Sequence, residues 1–239
     1  MLIEEKGKRT LLMSDLHIGF EERFTKSGVR LPSSTHKLVG ELNELIEREK
    51  PHSLVILGDV KYSVDGITNT EWREVPQFFE EVVSRIRTTI VPGNHDGGLT
   101  PLIPSDLTLE EPQGIKIGNT GMFHGHMKPP ESFNKIERMV MGHLHPTYSR
   151  KGSPMSGSQT WLILNVKRSS LFGNKANGYV ELIVLPSFNR ELNALGFTSN
   201  RGRIISPVIR RVAEYVQDAV IMTLQGDVIG NKDALEYIL

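Results

Sequence analysis

The sequence of 239 residues contains no cysteine, which excludes disulfides and thiolate metal ligands. It also lacks an apolar run long enough to span a bilayer. Its first residues carry charges of both signs, where a signal peptide would have an apolar core. Hydrophobic residues make up 38% and charged residues 23%, which is typical of a globular protein. The composition therefore predicts a cytoplasmic protein with one α/β-sized core, and it leaves the oligomeric state open, a homo-oligomer included.

Net charge is also absent, because 28 basic residues balance 28 acidic ones, but the charge is unevenly distributed. Residues 148–211 contain ten basic and two acidic side chains, a net charge of +8. Such a segment can form a polyanion-binding face, which makes nucleic acid a candidate partner. A scattering of the same residues over a solvated surface would give the same count. Few aromatic residues interleave with these cations, so a base-stacking platform is not indicated.

Short apolar runs alternate with helical patterns in the first part of the chain. Strands are predicted at Arg9–Met13, Ser53–Leu57 and Thr88–Val91, and helices at about residues 35–50 and 70–87. This alternation favours right-handed crossovers and a largely parallel sheet. The second helix is expected to turn seven apolar side chains inward: Trp72, Val75, Phe78, Phe79, Val82, Val83 and Ile86.

The later strands are shorter, and they predict a second sheet packed on the first. They are expected at 107–109, 115–117, 121–123, 139–141, 161–166, 179–185 and 219–224. Because no linker or internal repeat is visible, the whole chain 1–239 is interpreted as one domain. Its motif-bearing core spans about 9–147, and a C-terminal extension of about 148–239 is expected to supply the second sheet.

The first chemical signal is Asp15-Leu-His17, which follows the apolar run that ends at Met13. In extended backbone, side chains two positions apart point to the same side, so this aspartate and histidine can converge on one ion. Taken alone the signal is weak, because Asp-x-His occurs by chance and usually caps a turn.

Four more strand ends repeat the pattern. They carry Gly58-Asp59, Gly93-Asn94-His95-Asp96, His124-Gly125-His126 and Gly142-His143-Leu144-His145. Six of the eight histidines fall in these motifs, whereas His36 and His52 are interpreted as surface residues. The repetition predicts a binuclear metal site. Oxygen and imidazole ligands without thiolate favour manganese, iron or zinc, with manganese preferred.

The five motifs, in this order and spacing, resemble those of the calcineurin-like metallophosphoesterases over about residues 9–147. The stretches around residues 15–21, 28–32 and 58–61 are similar to archaeal phosphoesterases related to the SbcD-type repair nuclease. Leu185-Pro-Ser-Phe-Asn189 and Ser206-Pro207 resemble those proteins and the DNA-ligase-associated phosphoesterases. The resemblance implies a four-layer α/β/β/α sandwich of two mixed sheets flanked by helices.

The resemblance also implies a role for each motif residue. Asp15, His17 and His145 would hold one metal ion, and Asn94, His124 and His143 the other, with Asp59 bridging them. His95 would contact the phosphate and protonate the leaving oxygen. Asp96 is expected to orient His95, and His126 to support a neighbour by hydrogen bonding.

The implied activity is metal-dependent hydrolysis of a phosphodiester by attack of a metal-bridging hydroxide. The preferred interpretation is a nuclease or nucleic-acid-end phosphodiesterase in DNA repair. The alternatives are a phosphatase or cyclic-nucleotide phosphodiesterase with a small substrate, and a non-catalytic binding module. Lys61 and Arg23 are candidate phosphate contacts, although a surface cation with a local carboxylate partner is an equally good interpretation of each.

Overall fold

Two mixed β-sheets lie face to face in the computed structural model, which describes residues 1–25, 27–194 and 206–238. Five strands form the first sheet, in chain order: β1 (Leu2–Glu5), β2 (Lys8–Met13), β3 (Ser53–Leu57), β4 (Arg87–Val91) and β5 (Thr108–Leu109). The edge strand β1 is antiparallel to β2, and the others run parallel. The parallel strands agree with the predicted crossovers.

The second sheet contains seven strands: β6 (Ile115–Ile117), β7 (Thr120–Phe123), β8 (Arg138–Met141), β9 (Thr160–Lys167), β10 (Tyr179–Val184), β11 (Val216–Thr223) and β12 (Val228–Gly230). Their order is β12-β11-β9-β10-β8-β7-β6. Strand β8 is parallel to β7 and β10, and the other pairs are antiparallel. Because β6 to β8 precede residue 148, the second sheet is not supplied by the C-terminal part alone.

Helices cover the outer faces of both sheets and complete the predicted four layers. The helices are α1 (Glu22–Thr25), α2 (Thr35–Glu49), α3 (Asn69–Val83), α4 (Ser169–Phe172), α5 (Glu191–Ala194) and α6 (Pro207–Val212). Helices α2 and α3 share a core with the first sheet, and α4 and α6 share one with the second. None of the described helices is long and apolar enough to cross a membrane.

The apolar run in strand β3 reflects burial on both faces of the first sheet. Leu54 and Ile56 pack towards α2 and α3, whereas Val55 and Leu57 pack towards the second sheet. Both faces of the strand are therefore buried, and every position after Ser53 is apolar. A separate cluster between the sheets joins residues of both: Ile3, Leu12, Val55, Leu57, Val91, Met122, Val140, Ile183 and Leu185.

Helix α3 departs from the prediction in two ways. It ends at Val83, because Arg87 already begins β4. Trp72 was predicted to point inward, and this is wrong, since the residue is 50% exposed. Two acidic residues of α3, Glu71 and Glu74, are buried instead, and both are hydrogen-bonded to neighbouring loops. The hydrophobic pattern of the helix could not predict that these two carboxylates are buried, because their burial depends on hydrogen bonds.

Candidate metal centre

The five predicted motifs lie at one edge of the sandwich. Strands β2, β3 and β4 run parallel in the first sheet, and β7 and β8 run parallel in the second, so each group of loops emerges together. Contacts across the gap join the two groups, because the His124 imidazole hydrogen-bonds the Leu57 carbonyl. The backbone N–H of His143 donates to the Asp15 carboxylate in the same way.

The predicted ligands share an uncommon backbone conformation. Seven described non-glycine residues have positive φ, and five of them are predicted ligands: Asp15 (59°), His17 (45°), Asp59 (54°), His143 (68°) and His145 (49°). The expectation of extended backbone at Asp15 and His17 is therefore wrong. Their side chains converge because each lies in the left-handed region, which ordinary residues adopt only where the surroundings impose it.

Two glycines let the loops approach this closely. A Cβ added to Gly58 would lie 2.5 Å from Nδ1 of His124, and one added to Gly142 would lie 2.7 Å from Oδ2 of Asp15. Gly58 also has a φ of +74°, which favours glycine for a second reason. These two glycines therefore make room for candidate ligands from other motifs, His124 and Asp15.

The first cluster consists of Asp15, His17, Asp59 and His145, all of them buried. Nε2 of His145 lies 2.9 Å from Oδ1 of Asp15 and 3.3 Å from Nε2 of His17. Nε2 of His17 is also 3.5 Å from Oδ2 of Asp59. One atom of each side chain falls within 4.8 Å of the others, a spacing at which the four residues can hold a metal ion.

The second cluster consists of Asp59, His124 and His143, so Asp59 belongs to both clusters. Nδ1 of His124 hydrogen-bonds the Leu57 carbonyl at 2.7 Å and must carry the proton, because a carbonyl only accepts. Its Nε2 then faces Oδ2 of Asp59 at 3.3 Å and Nδ1 of His143 at 3.1 Å. Backbone carbonyls commonly orient metal-binding histidines in this way.

The electrostatics of both clusters fit divalent ions. Burial lowers the pKa of His17 to about 3 and that of His143 to about 4, so both imidazoles are neutral at pH 7 and present lone pairs. Burial opposes ionisation of Asp59, but His124 and His17 outweigh it and hold its pKa well below the usual range. Carboxylates and imidazoles that converge at about 3.3–3.5 Å form a donor set suited to cations.

His124 is the exception, because it favours a proton. Burial lowers its pKa, but the charge of Asp59, its hydrogen bond to that carboxylate and the charge of Asp15 outweigh burial and raise the pKa to about 9. Burial likewise opposes ionisation of Asp15, and His145 outweighs it, so the pKa of Asp15 is lowered to about 2. A proton on His124 is therefore stabilised by Asp59 of its own cluster and by Asp15 of the first cluster.

His95 lies beside the clusters rather than within them. Its Nδ1 donates a hydrogen bond to the Tyr62 carbonyl, and its backbone N–H donates to Oδ1 of Asp59 at 3.0 Å. Its Nε2 is 3.9 Å from Oδ2 of Asp59, and its ring centroid is 4.7 Å from that of His17. The side chain is 17% exposed, so this ring borders both the clusters and solvent.

Asp96 contacts backbone and not the His95 ring. Its carboxylate accepts hydrogen bonds from the backbone N–H groups of Gly93 at 2.7 Å, Asp59 at 2.8 Å and Val60 at 2.8 Å. Burial raises its pKa to about 6, and the charge of Asp59 adds to this. The predicted orientation of His95 by Asp96 is corrected accordingly, since Asp96 joins the loops that follow β3 and β4.

Two further predicted residues lie at the margin of the site. Asn94 is exposed on the loop between Gly93 and His95. The ring centroid of His126 lies 5.3 Å from that of His124 and 6.3 Å from that of His143. Its Nδ1 is buried and has no hydrogen-bond partner in the described part of the chain, so the predicted supporting hydrogen bond is not present at that atom.

The two candidate phosphate contacts have other partners. Lys61 is fully buried, and its ammonium donates to the backbone carbonyls of Ser63 and Gly66, so it is neither a surface cation nor a phosphate contact. The guanidinium of Arg23 lies 5.2 Å from the centroid of the Phe24 ring. The surface-histidine interpretation is confirmed, because His36 and His52 are both exposed.

Two residues that support the site were not identified as such from the sequence. Tyr62 supplies the carbonyl that binds His95. Asn189 is buried, and its side-chain amide donates to the Leu16 carbonyl at 2.9 Å and to Ser34 Oγ at 3.2 Å. The sequence feature that could have identified Asn189 is the Leu-Pro-Ser-Phe-Asn stretch. Its asparagine holds the first motif loop through the hydrogen bond to Leu16. Tyr62 acts through its backbone, so its side-chain identity gave no signal.

The family model for Calcineurin-like phosphoesterase matches residues 8–167, which is more than half of the chain. The chain belongs to this family. Members are binuclear metal-dependent, and the two Asp/His clusters of this structure agree with that property. The protein is therefore a metal-dependent phosphoesterase, as the motifs predicted.

Several solved structures are similar to this calcineurin-like phosphoesterase. The Pseudomonas putida nuclease MPE has 17% identity and a TM-score of 0.50, with 79% of this chain and 86% of that one covered. The E. coli phosphoesterase Yfce has 14% identity and a TM-score of 0.45, with 93% and 97% covered. No curated protein sequence matches the chain. The archaeal SbcD-related or ligase-associated branch stays a prediction.

Proposed function

We propose that this phosphoesterase hydrolyses phosphodiester bonds of nucleic acid, as a nuclease or nucleic-acid-end phosphodiesterase that serves DNA repair. The observation that supports this most is the position of His95, whose ring lies between the paired Asp/His clusters and solvent. A phosphodiester at that edge would meet a charge-neutralising centre and a proton donor together.

We propose metal ligands from the two clusters, and Asn94 from the family resemblance alone. Asp15, His17 and His145 would hold one manganese ion, and His124 and His143 the other. Asp59 would bridge the two ions, and Asn94 would complete the second site. Two divalent ions in such a site supply Lewis acidity and charge neutralisation for the attack of water on a phosphoryl group.

His95 is assigned the proton transfer to the leaving oxygen. Because its Nδ1 donates to the Tyr62 carbonyl, Nε2 is the atom that remains to face substrate. A positioned general acid contributes about 10²–10⁴-fold to such reactions. Asp96 is assigned a positioning role, because it fixes the backbone that carries both Asp59 and His95.

An open rim supports a large substrate. Next to His95, Asn94 and Gly97 are exposed, and Val64 and Asp65 are exposed on the neighbouring loop. A polymer can cross such a rim, whereas a deep pocket would favour a small ester. A nuclease from Pseudomonas putida shares the fold, which makes nucleic acid the first substrate class to test.

The basic segment does not contribute as one surface. Strand β10 is parallel to β8, which leads into His143, so Tyr179 and its partner Lys167 lie at the end of the sheet away from the metal centre. Arg150 and Lys151 follow His145, and the bridge between Thr147 and Gln159 joins their segment to the start of β9, at the site end of the sheet. Contact with nucleic acid is therefore assigned to these two cations. Arg201 and Arg203, which also contributed to the +8 count, lie outside the described residues.

The deciding experiment compares matched chromogenic phosphate mono- and diesters with manganese-loaded protein, with Asp59→Asn as the inactive control. Diester cleavage that is lost in the control supports the proposal. Cleavage of the monoester alone would indicate a small-molecule phosphatase and contradict it. Single- and double-stranded DNA and RNA follow, and cleavage of nucleic acid should weaken steeply with salt, because phosphate contacts release counterions.

His95→Ala tests the assigned proton transfer. We expect turnover of the diester to fall about 10²–10⁴-fold while both ions stay bound, because the ring lies outside both clusters. Metal content by mass spectrometry accompanies the kinetics. Normal turnover by a fully metallated variant would contradict the role of His95.

A further inference from the structure

Lys61 is a buried lysine that the metal centre does not use. It is 0% exposed and follows the shared ligand Asp59 by two positions. Its ammonium donates to two neutral acceptors, the backbone carbonyls of Ser63 and Gly66, the second at 2.9 Å. Moving an ammonium from water into the protein interior costs free energy. We therefore expect the hydrogen bonds of a buried lysine to hold a functionally important segment in place.

Lys61 holds the 61–68 loop, which lies on the surface between β3 and α3. Its outermost residues, Val64, Asp65 and Gly66, are exposed. Glu71 of α3, itself 0% exposed, anchors the loop from the other side. Its carboxylate accepts from the backbone N–H groups of Ser63 at 2.6 Å and Thr68 at 2.7 Å. Two buried charged side chains thus hold an exposed loop from beneath.

The first part of the 61–68 loop contacts His95, the proposed general acid. The carbonyl of Tyr62, between Lys61 and Ser63, accepts the hydrogen bond from Nδ1 of His95. The N–H of Tyr62 donates to the Ile18 carbonyl at 3.1 Å, which ties the loop to the first motif. The direction of the Tyr62 carbonyl therefore depends on how the two flanking residues are held.

We propose that Lys61 is a positioning residue for His95. By holding the carbonyls of Ser63 and Gly66, it aims the Tyr62 carbonyl at His95 and keeps the ring proton on Nδ1. Nε2 is then the nitrogen that faces the leaving oxygen: in the doubly protonated ring it gives its proton to that oxygen, and the Nδ1–H tautomer remains. Lys61 does this without touching substrate or metal. The catalytic part of this inference rests on the proposed role of His95, whereas the structural part does not.

The structural part is tested by nitrogen NMR of ¹⁵N-histidine-labelled, metal-free full-length protein, with His95→Ala to assign the signals. We expect the Nδ1–H tautomer of His95 in the wild type and a mixture of tautomers in Lys61→Met. Lys135→Met, which removes an exposed lysine, is the matched control and should leave the spectrum of His95 unchanged. An unaltered His95 tautomer in folded Lys61→Met would overturn the proposal.

The catalytic part is tested with two diesters that differ in their leaving group. An alkoxide needs a proton as it leaves, and a nitrophenolate does not. For Lys61→Met we expect kcat to fall about 10-fold or more with the alkoxide, part of the ~10²–10⁴-fold available to a general acid, with KM unchanged. With the nitrophenolate, the change should stay within about threefold. Equal losses on both esters would indicate a general structural role and refute the inference.

A double variant separates the two proposals. In a His95→Ala background, Lys61→Met should cause no further loss, because the two residues act through one hydrogen bond. An additive loss would contradict the inference. If Lys61→Met does not fold, Glu71→Gln weakens the other anchor of the loop and should shift the tautomer in the same direction. Wild-type inactivity on every ester would contradict the proposed function alone, and the NMR result would still decide the role of Lys61.

Discussion

The two metal clusters share Asp59 but differ in how fully the protein encloses them. The first cluster has four buried candidate ligands, and all four lie on backbone with positive φ. In the second cluster, His143 is only partly buried, and the additional proposed ligand Asn94 is exposed. Closed sites are typical of ions that stay bound, whereas an open position is typical of ions that meet substrate. We therefore propose that an ion in the first cluster would stay bound, and that an ion in the second cluster would meet the substrate.

The clusters also depend on each other unequally. Asp15, a ligand of the first cluster, accepts the backbone N–H of His143 at 3.1 Å, so the first cluster helps to position the second. Asp59 belongs to both clusters and links them in both directions. The closed cluster should therefore tolerate damage to the open one better than the reverse.

The largest expected effect comes from removing one histidine of each cluster. Both His145→Ala and His143→Ala should lower diester turnover about 10²–10³-fold, the range for loss of one preorganised electrostatic group. The ion count should differ: His143→Ala keeps about one ion per chain, whereas His145→Ala keeps fewer, because Asp15 loses its partner. Mass spectrometry after chelation and reloading measures this, and equal ion counts would refute the asymmetry.

A smaller effect should appear in the pH dependence of metal binding. The pKa of His124 is raised to about 9, and its Nδ1 is engaged, so a proton must leave Nε2 before an ion binds there. Affinity at the second cluster should therefore rise about tenfold per pH unit from 7 to 9 and level off above. The first cluster lacks this barrier, because the pKa of His17 is lowered to about 3.

Calorimetry in two buffers of different ionisation enthalpy checks this prediction. Binding of the second ion at pH 7 should release about one proton, counted from the difference between the buffers. A second binding step that neither releases protons nor changes with pH would show that His124 is unprotonated in the metal-free protein.

The smallest expected effect concerns Gly58, which precedes the shared residue Asp59. Gly58→Ala places a Cβ 2.5 Å from Nδ1 of His124 at a φ of +74°, so we expect a loss of about 1–3 kcal/mol in the free energy of unfolding. Binding at the second cluster should weaken with it. Gly40→Ala, in the open interior of α2, should instead stabilise by about 0.5–1 kcal/mol. Urea denaturation of both variants checks the pair, and similar stabilities would contradict the steric argument.

The sequence predicted what depends on local pattern. The bounds of β3 and β6 match the predicted runs; in β3 the cause is burial on both faces, which requires the apolar run from Leu54 to Leu57. It also predicted that Asp15, Asp59 and His145 meet, because their motifs follow strands whose ends share one edge.

The remainder depended on contacts that form only in the folded chain. Glu71 and Lys61 are buried because backbone groups of a distant or irregular segment satisfy them, and no periodicity encodes that. Asp96 was linked to its sequence neighbour His95, but its partners include Asp59 and Val60, more than thirty residues away. The positive φ values at the ligands were invisible for the same reason.

Those backbone angles also bear on how such a protein can change over generations. Aspartate and histidine tolerate the left-handed region better than most residues, but the conformation still costs about 1–3 kcal/mol each. If selection acted on stability alone, glycine or asparagine would replace these five residues over time, because both adopt the left-handed conformation readily. Lineages that lose the activity should therefore lose these side chains first while the surrounding sandwich persists, and their glycines would mark where an active centre once stood.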